Sequence, residues 1–222
     1  MTLTNIDDID LDGLARVTYS AVFSDICDQI GLHHQTLPHT ITARTLPDLT
    51  LVGWARPVQT APIAHTPDAP YGNEILFVDS LSPGDVVVAD CGGSTSAFWG
   101  ELFSTAAVGR GARGAVINGA IRDVRRIVPT GFAIRALCAD PSDSLGRLSI
   151  VRQDSPVRIG GVTITRGDLV VSDSDGTVVI PRAAVTEVVP RAMDKATIES
   201  SALDMLKEGA YLADVWDRHR VL

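Results

Sequence analysis

Lysine is scarce in this chain. Of the 19 basic residues among 222, only Lys195 and Lys207 are lysines, and both lie near the C-terminus. An enzyme that works through a Schiff base needs a desolvated lysine amine at its reacting centre. Both lysines are far in sequence from the Trp99–Ile127 segment, which carries most of the candidate site residues, so the composition argues against covalent lysine chemistry.

Cysteine is scarce as well. Cys27, Cys91 and Cys138 are odd in number, widely spaced and without a Cys-X-X-Cys pair. This pattern disfavours both a disulfide framework and a zinc knuckle.

Long apolar runs are missing, and so is a basic N-terminus. No run reaches the roughly 18 apolar residues of a membrane span, and the acidic start at Asn5–Asp8 lacks the basic region of a signal peptide. The net charge of −8 and pI near 5.0 disfavour general nucleic-acid binding, which depends on neutralising phosphates. We therefore expect a cytoplasmic protein with no membrane and no nucleic-acid partner.

The composition is that of one globular domain. With 45% hydrophobic and 21% charged residues, a chain of this length can bury one substantial core. We predict a single domain over residues 1–222, with a helical tail over 182–222.

The most informative segment runs from Trp99 to Ile127. Small and apolar residues at helical spacing predict a helix over Glu101–Ala112, whose first turn, near Gly100, offers unsatisfied N–H groups to a carboxylate or phosphate. Ala115–Ile117 predicts a short buried strand, and Asn118-Gly119 a turn or bulge that presents Arg122 and Asp123. An arginine suits a carboxylate or enolate, and an aspartate suits a hard divalent cation.

Each part of this segment also has a plainer interpretation. An Arg-Asp dipeptide is usually a surface ion pair, a Gly-Ala helix is usually tight packing, and Arg122, Arg125 and Arg126 could simply form a solvated face. Their joint order, with a helix start followed by a strand and an Arg-Asp pair, is what favours a functional site.

Two further patterns are better explained without a metal. His33, His34 and His39 could bind a transition metal, but the nearby sequence favours an exposed polar loop. The segment Asp173–Gly176 lacks the later ligands of a calcium loop and predicts a hairpin turn.

Hydrophobic patterning predicts an ordered series of elements in a layered α/β domain. We expect a loop from Thr60 to Tyr71 that flanks the site entrance, and helices from Arg182 to Arg218 broken at Pro190. The other predicted elements are a helix over Leu11–Gly31, strands at Thr50–Gln59, Glu74–Val78, Asp85–Asp90, Ala115–Asn118 and Ala133–Cys138, and β-rich segments over Val157–Ile180.

The chain resembles the RraA-like proteins, which include 4-hydroxy-4-methyl-2-oxoglutarate/4-carboxy-4-hydroxy-2-oxoadipate aldolases and ribonuclease E regulators. The resemblance extends over nearly the whole sequence. Besides the Trp99–Ile127 segment, the blocks that carry it are Ala21–Asp25 through Gly31, Leu51–Ala55, Pro83–Gly93 and Gly167–Pro181.

The resemblance implies a β/β/α swivelling-type, phosphohistidine-domain-like sandwich, assembled as a homotrimer or homohexamer with sites between subunits. It also implies a metal-dependent, class II type aldolase, a carbon–carbon lyase that cleaves a 4-hydroxy-2-oxo acid to pyruvate and a second oxo acid. Oxaloacetate decarboxylation is the implied side activity, and Mg²⁺ or Mn²⁺ the implied cofactor.

The same resemblance assigns roles to individual residues. Asp123 would hold the metal, Glu101 would lie beside it, and Glu199 would approach from a neighbouring subunit's C-terminal helix. Arg122 would bind the oxygen that becomes the enolate. The first turn of the helix would bind the pyruvyl carboxylate, through Gly100 and the N–H groups of Leu102 and Phe103.

The sequence departs from the aldolase pattern at two positions. Arg126 stands where an acidic residue is usual, and Asn118 where an aspartate is usual. Both changes remove negative charge near the implied metal, and Arg126 would favour a substrate with an extra carboxylate. The alternative is a non-catalytic RraA-type protein that binds and inhibits a ribonuclease, although Asp123 favours an enzyme.

Overall fold

The computed structural model describes residues 5–221, apart from the side chain of Asp7. Residues 1–4 and 222, which the predicted domain includes, lie outside this range. The helices are α1 (Leu11–Val17), α2 (Ser20–Gln29), α3 (Gly72–Asp79), α4 (Glu101–Gly109), α5 (Val124–Ile127), α6 (Val185–Lys207) and α7 (Leu212–His219). The strands are β1 (Thr42–Ala43), β2 (Leu51–Pro62), β3 (Asp85–Trp99), β4 (Gly114–Ile121), β5 (Ala133–Ala139), β6 (Leu148–Gln153), β7 (Val157–Ile159), β8 (Val162–Ile164), β9 (Leu169–Ser172) and β10 (Thr177–Ile180).

A mixed sheet in the order β1-β5-β4-β3-β2-β9-β10 forms the centre of the fold. Strands β2 to β5 are parallel to one another, and the outer pairings are antiparallel. Strand β2 pairs with β9 along its first half and with β6 along its second, so the sheet curls around β2. Hairpin β7-β8 forms a separate small sheet.

The parallel strands are central because both of their faces are apolar. Val86–Ala89 and Ala115–Ile117 are fully buried and nearly continuous in hydrophobicity, as expected for parallel strands covered on both sides. One core cluster joins β3 and β4 to α3 and α4, and another joins β9 and β10 to α1, α2 and α6. The sheet therefore holds α4 and the ends of β3 and β4 in a rigid frame.

The predicted strand at Glu74–Val78 is wrong, because this segment is helix α3. Its four consecutive apolar residues, Ile75–Val78, are typical of a buried strand. In the structure Glu74, Phe77 and Val78 are buried, whereas Ile75 and Leu76 are exposed, which is helical spacing. The carboxylate of Glu74 accepts a hydrogen bond from the backbone N–H of Ile150 at 3.1 Å, which ties α3 to β6.

The predicted helix over Leu11–Gly31 is divided into α1 and α2 at Thr18 and Tyr19, whose backbones are extended. The Thr18 hydroxyl donates to the Leu14 carbonyl at 2.7 Å and closes α1. The Ser20 N–H at the start of α2 donates to Asp173 Oδ2 at 2.6 Å. Asp173 begins the predicted hairpin turn between β9 and β10, so this turn also caps a helix.

The predicted helix break at Pro190 is also wrong, since α6 continues through it. Proline removes one N–H donor and usually kinks a helix. Here Val185, Val188 and Val189 before it and Ala192 after it are all buried in the core at helical spacing. Packing on both sides of Pro190 outweighs the lost hydrogen bond.

The remaining predicted elements are found with shifted ends. Strand β3 is the largest extension, since it continues from Asp85 to Trp99 with an irregular register beyond Asp90. The structure is thus a mixed α/β fold with a curled sheet and C-terminal helices. Within residues 5–221, no helix is both long enough and apolar enough to cross a membrane.

Gly114 begins the strand that leads to Arg122 and Asp123, and it has no room for a side chain. A Cβ there would lie 2.5 Å from the Ala133 carbonyl oxygen and 2.8 Å from Leu51. We expect Gly114→Ala to lower the free energy of unfolding by about 1 to 3 kcal/mol through overpacking. Gly109→Ala is the matched control, because the added methyl on α4 meets open space and should raise stability by roughly 0.5 to 1 kcal/mol. Urea unfolding of both variants checks this, and equal effects would contradict it.

Candidate active site

A cavity of about 480 Å³ opens where β3 and β4 end. Its walls come from α3, the end of β3, the first turns of α4, the Arg122-Asp123 pair and the loop after β5. The lining residues are Tyr71, Ile75, Val78, Asp79, Ala97, Phe98, Trp99, Gly100, Glu101, Leu102, Phe103, Ala106, Arg122, Asp123, Asp143 and Ser144. In α/β proteins, ligands commonly bind at the carboxyl ends of the parallel strands.

Helix α4 is anchored by the residue that precedes its cap. Trp99 is buried and stacks on Phe132, and its indole Nε1 donates to the Ser104 hydroxyl at 3.0 Å. That hydroxyl donates in turn to the Gly100 carbonyl at 3.0 Å. The first turn of α4 is thereby fixed at the cavity, with the N–H groups of Leu102 and Phe103 in the part of a helix that lacks carbonyl partners.

Gly100 lets α4 approach the Arg122-Asp123 pair. A Cβ at Gly100 would lie 2.8 Å from Asp123 Oδ2 and 3.2 Å from Arg122 Cγ. Without that Cβ, the Glu101 N–H donates to Asp123 Oδ2 at 3.3 Å. The Arg122 N–H donates to the Trp99 carbonyl at 2.9 Å, which joins the ends of β3 and β4. The structure therefore brings together the site residues predicted from the Trp99–Ile127 segment.

Two residues of the cavity have strained backbones. Asp123 and Tyr71 have φ values of 60° and 58°, a left-handed conformation that is uncommon for residues other than glycine. Of the five such residues in the part of the chain that the structure describes, these two line the cavity. Strain of this kind concentrates at functional sites.

Arg122 lies between two carboxylates. Its Nε is 3.7 Å from Asp123 Oδ2, and its Nη1 is 3.3 Å from Asp143 Oδ1. The Tyr71 hydroxyl donates to the other oxygen of Asp143. This hydrogen bond is the largest cause of the raised pKa of Tyr71. Burial raises the pKa of Asp143, but the Tyr71 hydrogen bond and the Arg122 charge outweigh it, and the net pKa is lowered.

Sequence reasoning did not find Tyr71, Asp143 or Ser144. The loop ending at Tyr71 was expected to flank the site entrance, and Tyr71 does line the cavity. Asp143 and Ser144 follow β5 in a segment whose composition gives no such signal. The pairing of β5 with β4 and the bridge between Asp143 and Ala97 of β3 bring them beside Arg122.

Arg126 forms an ion pair with Glu101, with Nε 2.5 Å from Glu101 Oε2. The Arg126 side chain is 72% exposed and that of Glu101 is 28% exposed. The hydrogen bond to Glu101 is the main cause of the raised pKa of Arg126. Arg126, which stands where the family usually has an acidic residue, therefore balances the charge of Glu101. An acidic residue there would repel Glu101 instead.

The departure at Asn118 has a structural role. Its Nδ2 donates to Asp90 Oδ1 at 2.9 Å, inside the irregular stretch of β3 and β4. It does not belong to the set of described residues that line the cavity. The expected bulge is present as a register shift between Ile117 and Ala120.

Glu199 lies on α6, outside the set of described lining residues. It accepts a hydrogen bond from the Tyr19 hydroxyl, and its Oε1 is 3.4 Å from Lys195 Nζ. One subunit therefore does not bring it to Asp123. Its approach from a neighbouring subunit stays a prediction.

The donor set of the cavity fits a hard cation rather than zinc. Across residues 5–221, no group of three or more His, Cys, Asp and Glu side chains could enclose a metal ion. The available ligands are carboxylate oxygens, of which Asp123 is partly exposed toward the cavity. Mg²⁺ is commonly bound by one or two carboxylates together with waters and substrate oxygens. The residues present therefore fit such a cation.

The fold and cavity define a mixed α/β protein with a cleft at the ends of parallel strands, lined by a helix N-terminus, Arg122 and Asp123. A family model described as "RraA-like: Aldolase/RraA" matches residues 21–179, and the chain belongs to this RraA-like family. The sequence resemblance is thereby confirmed.

Individual relatives agree with this assignment. The chain is 32% identical over 174 residues to a Halalkalibacterium halodurans protein named "Putative 4-hydroxy-4-methyl-2-oxoglutarate aldolase", covering 72% of this chain and 80% of that protein. The structure is similar to Streptomyces coelicolor RraAS2, described as an unusual member of the RNase ES inhibitor RraA protein family, with TM-score 0.75, 30% identity and coverage of 88% and 96%. It is also similar to an uncharacterized protein from Pseudomonas syringae pv. tomato, with TM-score 0.81, 27% identity and coverage of 92% and 95%.

The hydrogen bond between Tyr71 and Asp143 can be tested by titration. We expect Asp143→Asn to lower the pKa of Tyr71 toward its ordinary value, because the variant removes the charged acceptor. The difference in phenolate absorbance between each protein and its Tyr71→Phe counterpart isolates this residue from the other two tyrosines. Asp140→Asn is the control, since Asp140 accepts from Ser142 instead. An unchanged Tyr71 titration in Asp143→Asn would rule out the contact.

Proposed function

We propose that this protein is a divalent-metal-dependent, class II type carbon–carbon lyase that cleaves a 4-hydroxy-2-oxo acid to pyruvate and a second oxo acid. Oxaloacetate decarboxylation is the proposed side activity. The observation that supports this most is the meeting of the α4 N-terminus, Arg122 and Asp123 in one cavity. The relatives named as aldolases support the same reaction class.

The residues would share the work as follows. The N–H groups of Leu102 and Phe103 bind the carboxylate beside the 2-oxo group, since a helix N-terminus attracts anions. Arg122 donates to the 2-oxo oxygen, on which negative charge develops as the C3–C4 bond breaks. Asp123, with Glu101 and a neighbouring subunit's Glu199, would hold the cation. A bound Mg²⁺ or Mn²⁺ would supply Lewis-acid polarisation of the 2-oxo group.

A proton must also leave the C4 hydroxyl. Carboxylates at Glu101, Asp123 and Asp143 line the same cavity, and one of them or a water would accept it. Asp143 is oriented by Tyr71 on one oxygen and Arg122 on the other. We infer that it positions Arg122 for the developing enolate.

The lysines support a mechanism without a Schiff base. Lys195 lies on α6 with Nζ 2.6 Å from Asp25 Oδ2, and Lys207 at the end of α6 pairs with Asp204. Neither belongs to the described lining of the cavity.

The remaining finer expectations, from composition and from the resemblance, belong to the same proposal. They are a single domain over residues 1–222, the β/β/α swivelling-type sandwich, assembly as a homotrimer or homohexamer, and a cytoplasmic location. A site completed by Glu199 of a neighbouring subunit would require that assembly.

A second candidate is a non-catalytic protein that binds and inhibits a ribonuclease. It is favoured by the similarity to RraAS2 at 30% identity. Inhibition of a ribonuclease by the purified chain, without pyruvate release from any 4-hydroxy-2-oxo acid or from oxaloacetate, would favour this candidate.

The cation requirement is testable at Asp123. We expect Asp123→Asn and treatment with EDTA each to abolish pyruvate release, because the amide lacks the charge that a hard cation needs. Mg²⁺ or Mn²⁺ should restore the EDTA-treated protein but not the variant. Asp28→Asn, a change of the same type at an exposed carboxylate beside His33, is the control. Full activity in EDTA would exclude the metal mechanism.

Arg122 should matter more in the transition state than in binding. We expect Arg122→Gln to lower kcat a few hundredfold, corresponding to about 3 to 4 kcal/mol for one preorganised donor. Arg122→Lys should recover only part of this, because an ammonium cannot hold two oxygens in one plane. Steady-state kinetics of pyruvate release give the result. A higher KM with unchanged kcat would show that Arg122 only binds substrate.

A further inference from the structure

Glu74 is a buried carboxylate that the proposed reaction does not use. It lies in the first turn of α3 and is 4% exposed, outside the set of described residues that line the cavity. A carboxylate taken out of water is costly unless hydrogen bonds compensate for the lost hydration. Glu74 Oε1 accepts a hydrogen bond from the Ile150 N–H on β6 at 3.1 Å. The contact with β6 is therefore the role that the structure gives to this side chain.

Helix α3 binds the backbone of β6 through two adjacent side chains. Beside Glu74, Asn73 Nδ2 donates to the Ile150 carbonyl at 3.2 Å. Both backbone polar groups of Ile150 are thus bound by α3, as a neighbouring strand would bind them, while β6 pairs with β2. Helices that cover a sheet edge in this way also protect it from unwanted pairing. These two contacts fix the first turn of α3 against the sheet.

The same turn holds Tyr71, the residue that caps the start of α3 at the cavity. Its carbonyl accepts from the Ile75 N–H at 2.8 Å, and its hydroxyl donates to Asp143. Its φ of 58° is a left-handed conformation, which persists where the surrounding structure fixes the chain. The bond to Asp143 fixes Tyr71 on one side, and the bond from β6 to Glu74 fixes the turn on the other.

We propose that Glu74 is a positioning residue for Arg122. Its hydrogen bond to β6 fixes the first turn of α3 and hence the hydroxyl of Tyr71. Tyr71 then orients Asp143, whose other oxygen lies 3.3 Å from Arg122 Nη1. This inference rests on the proposed function for what Arg122 does in the reaction, whereas the contacts that orient Arg122 do not depend on that function.

Two conservative variants separate position from charge. Glu74→Gln keeps an oxygen that can accept the Ile150 N–H but loses the charge, whereas Glu74→Asp keeps the charge but is one methylene too short to reach. We expect Glu74→Asp to lower the pKa of Tyr71 toward its ordinary value, because the hydrogen bond to Asp143 is the largest cause of its rise. Glu74→Gln should leave the pKa of Tyr71 nearly unchanged. Phenolate absorbance, taken as the difference from each variant's Tyr71→Phe counterpart, gives both values.

Two results of this titration would overturn the proposal. A larger shift in Glu74→Gln than in Glu74→Asp would show that the charge of Glu74 acts on Tyr71 directly. Equal titration of Tyr71 in both variants and the wild-type protein would show that the first turn of α3 needs no such anchor. If Glu74→Asp does not fold, Asn73→Ala, which removes the other contact with β6, takes its place with the same expected shift.

Ser80 at the other end of α3 provides the control. Its hydroxyl accepts from Arg56 Nη2 at 2.9 Å and donates to the Phe77 carbonyl at 2.7 Å. Ser80→Ala should therefore loosen the C-terminal end of the helix without changing the titration of Tyr71. A shift as large as that of Glu74→Asp would mean that any loosening of α3 is sufficient, which would contradict a specific role for Glu74.

Kinetics connect Glu74 to the reaction. We expect Glu74→Asp to lower the kcat of pyruvate release by about tenfold or more with little change in KM, since a displaced donor loses mainly transition-state stabilisation. Glu74→Gln should keep most of kcat. Because Glu74 acts through Asp143, adding Glu74→Asp to Asp143→Asn should cause little further loss, and additive losses would overturn the proposal. Absence of pyruvate release from the wild-type protein would refute the lyase and leave the titration as the test of position.

Discussion

The site depends on the close approach of the first turn of α4 to Arg122 and Asp123. The parallel strands β3 and β4 end beside each other, and the bond from the Arg122 N–H to the Trp99 carbonyl fixes their ends. Gly100 leaves space for Asp123 to meet the Glu101 N–H. The N-terminus of α4, the Arg122 guanidinium and the Asp123 carboxylate then face the same cavity. Neither α4 nor the end of β4 could form this arrangement alone.

The surrounding core gives this arrangement its rigidity. Trp99 joins β3 to α4 through Ser104 and packs against Phe103 and Phe132. The left-handed backbones of Tyr71 and Asp123 persist because packed elements hold them on either side. In the proposed reaction, a preorganised site of this kind would stabilise developing charge without first rearranging itself.

Charge is nearly balanced by pairs within the site. Arg122 is shared by Asp123 and Asp143, while Arg126 neutralises Glu101. The arginine at position 126 is therefore compatible with the observed arrangement, because it pairs with Glu101 and leaves Asp123 in contact with the Glu101 N–H.

Local patterns in the sequence are enough to identify the family, the buried core strands and the helix start with its Arg-Asp pair. These features are local or periodic, so residues near one another in the chain carry them. The sequence misassigns α3, because four consecutive apolar residues do not reveal whether a segment buries alternate residues or a helical face. The sequence also predicts a helix break at Pro190. The prediction fails because the packing that keeps α6 continuous comes from distant strands.

The distant residues that complete the site are identified by the packing of the whole fold. Tyr71 and Asp143 are 72 positions apart, and they meet because the strand order places α3 and the loop after β5 at the same edge of the sheet. The pairing of Arg126 with Glu101 likewise depends on how α5 lies against α4. Side-chain contacts of this kind arise from the packing of whole elements, and the order of residues along the chain does not encode them locally.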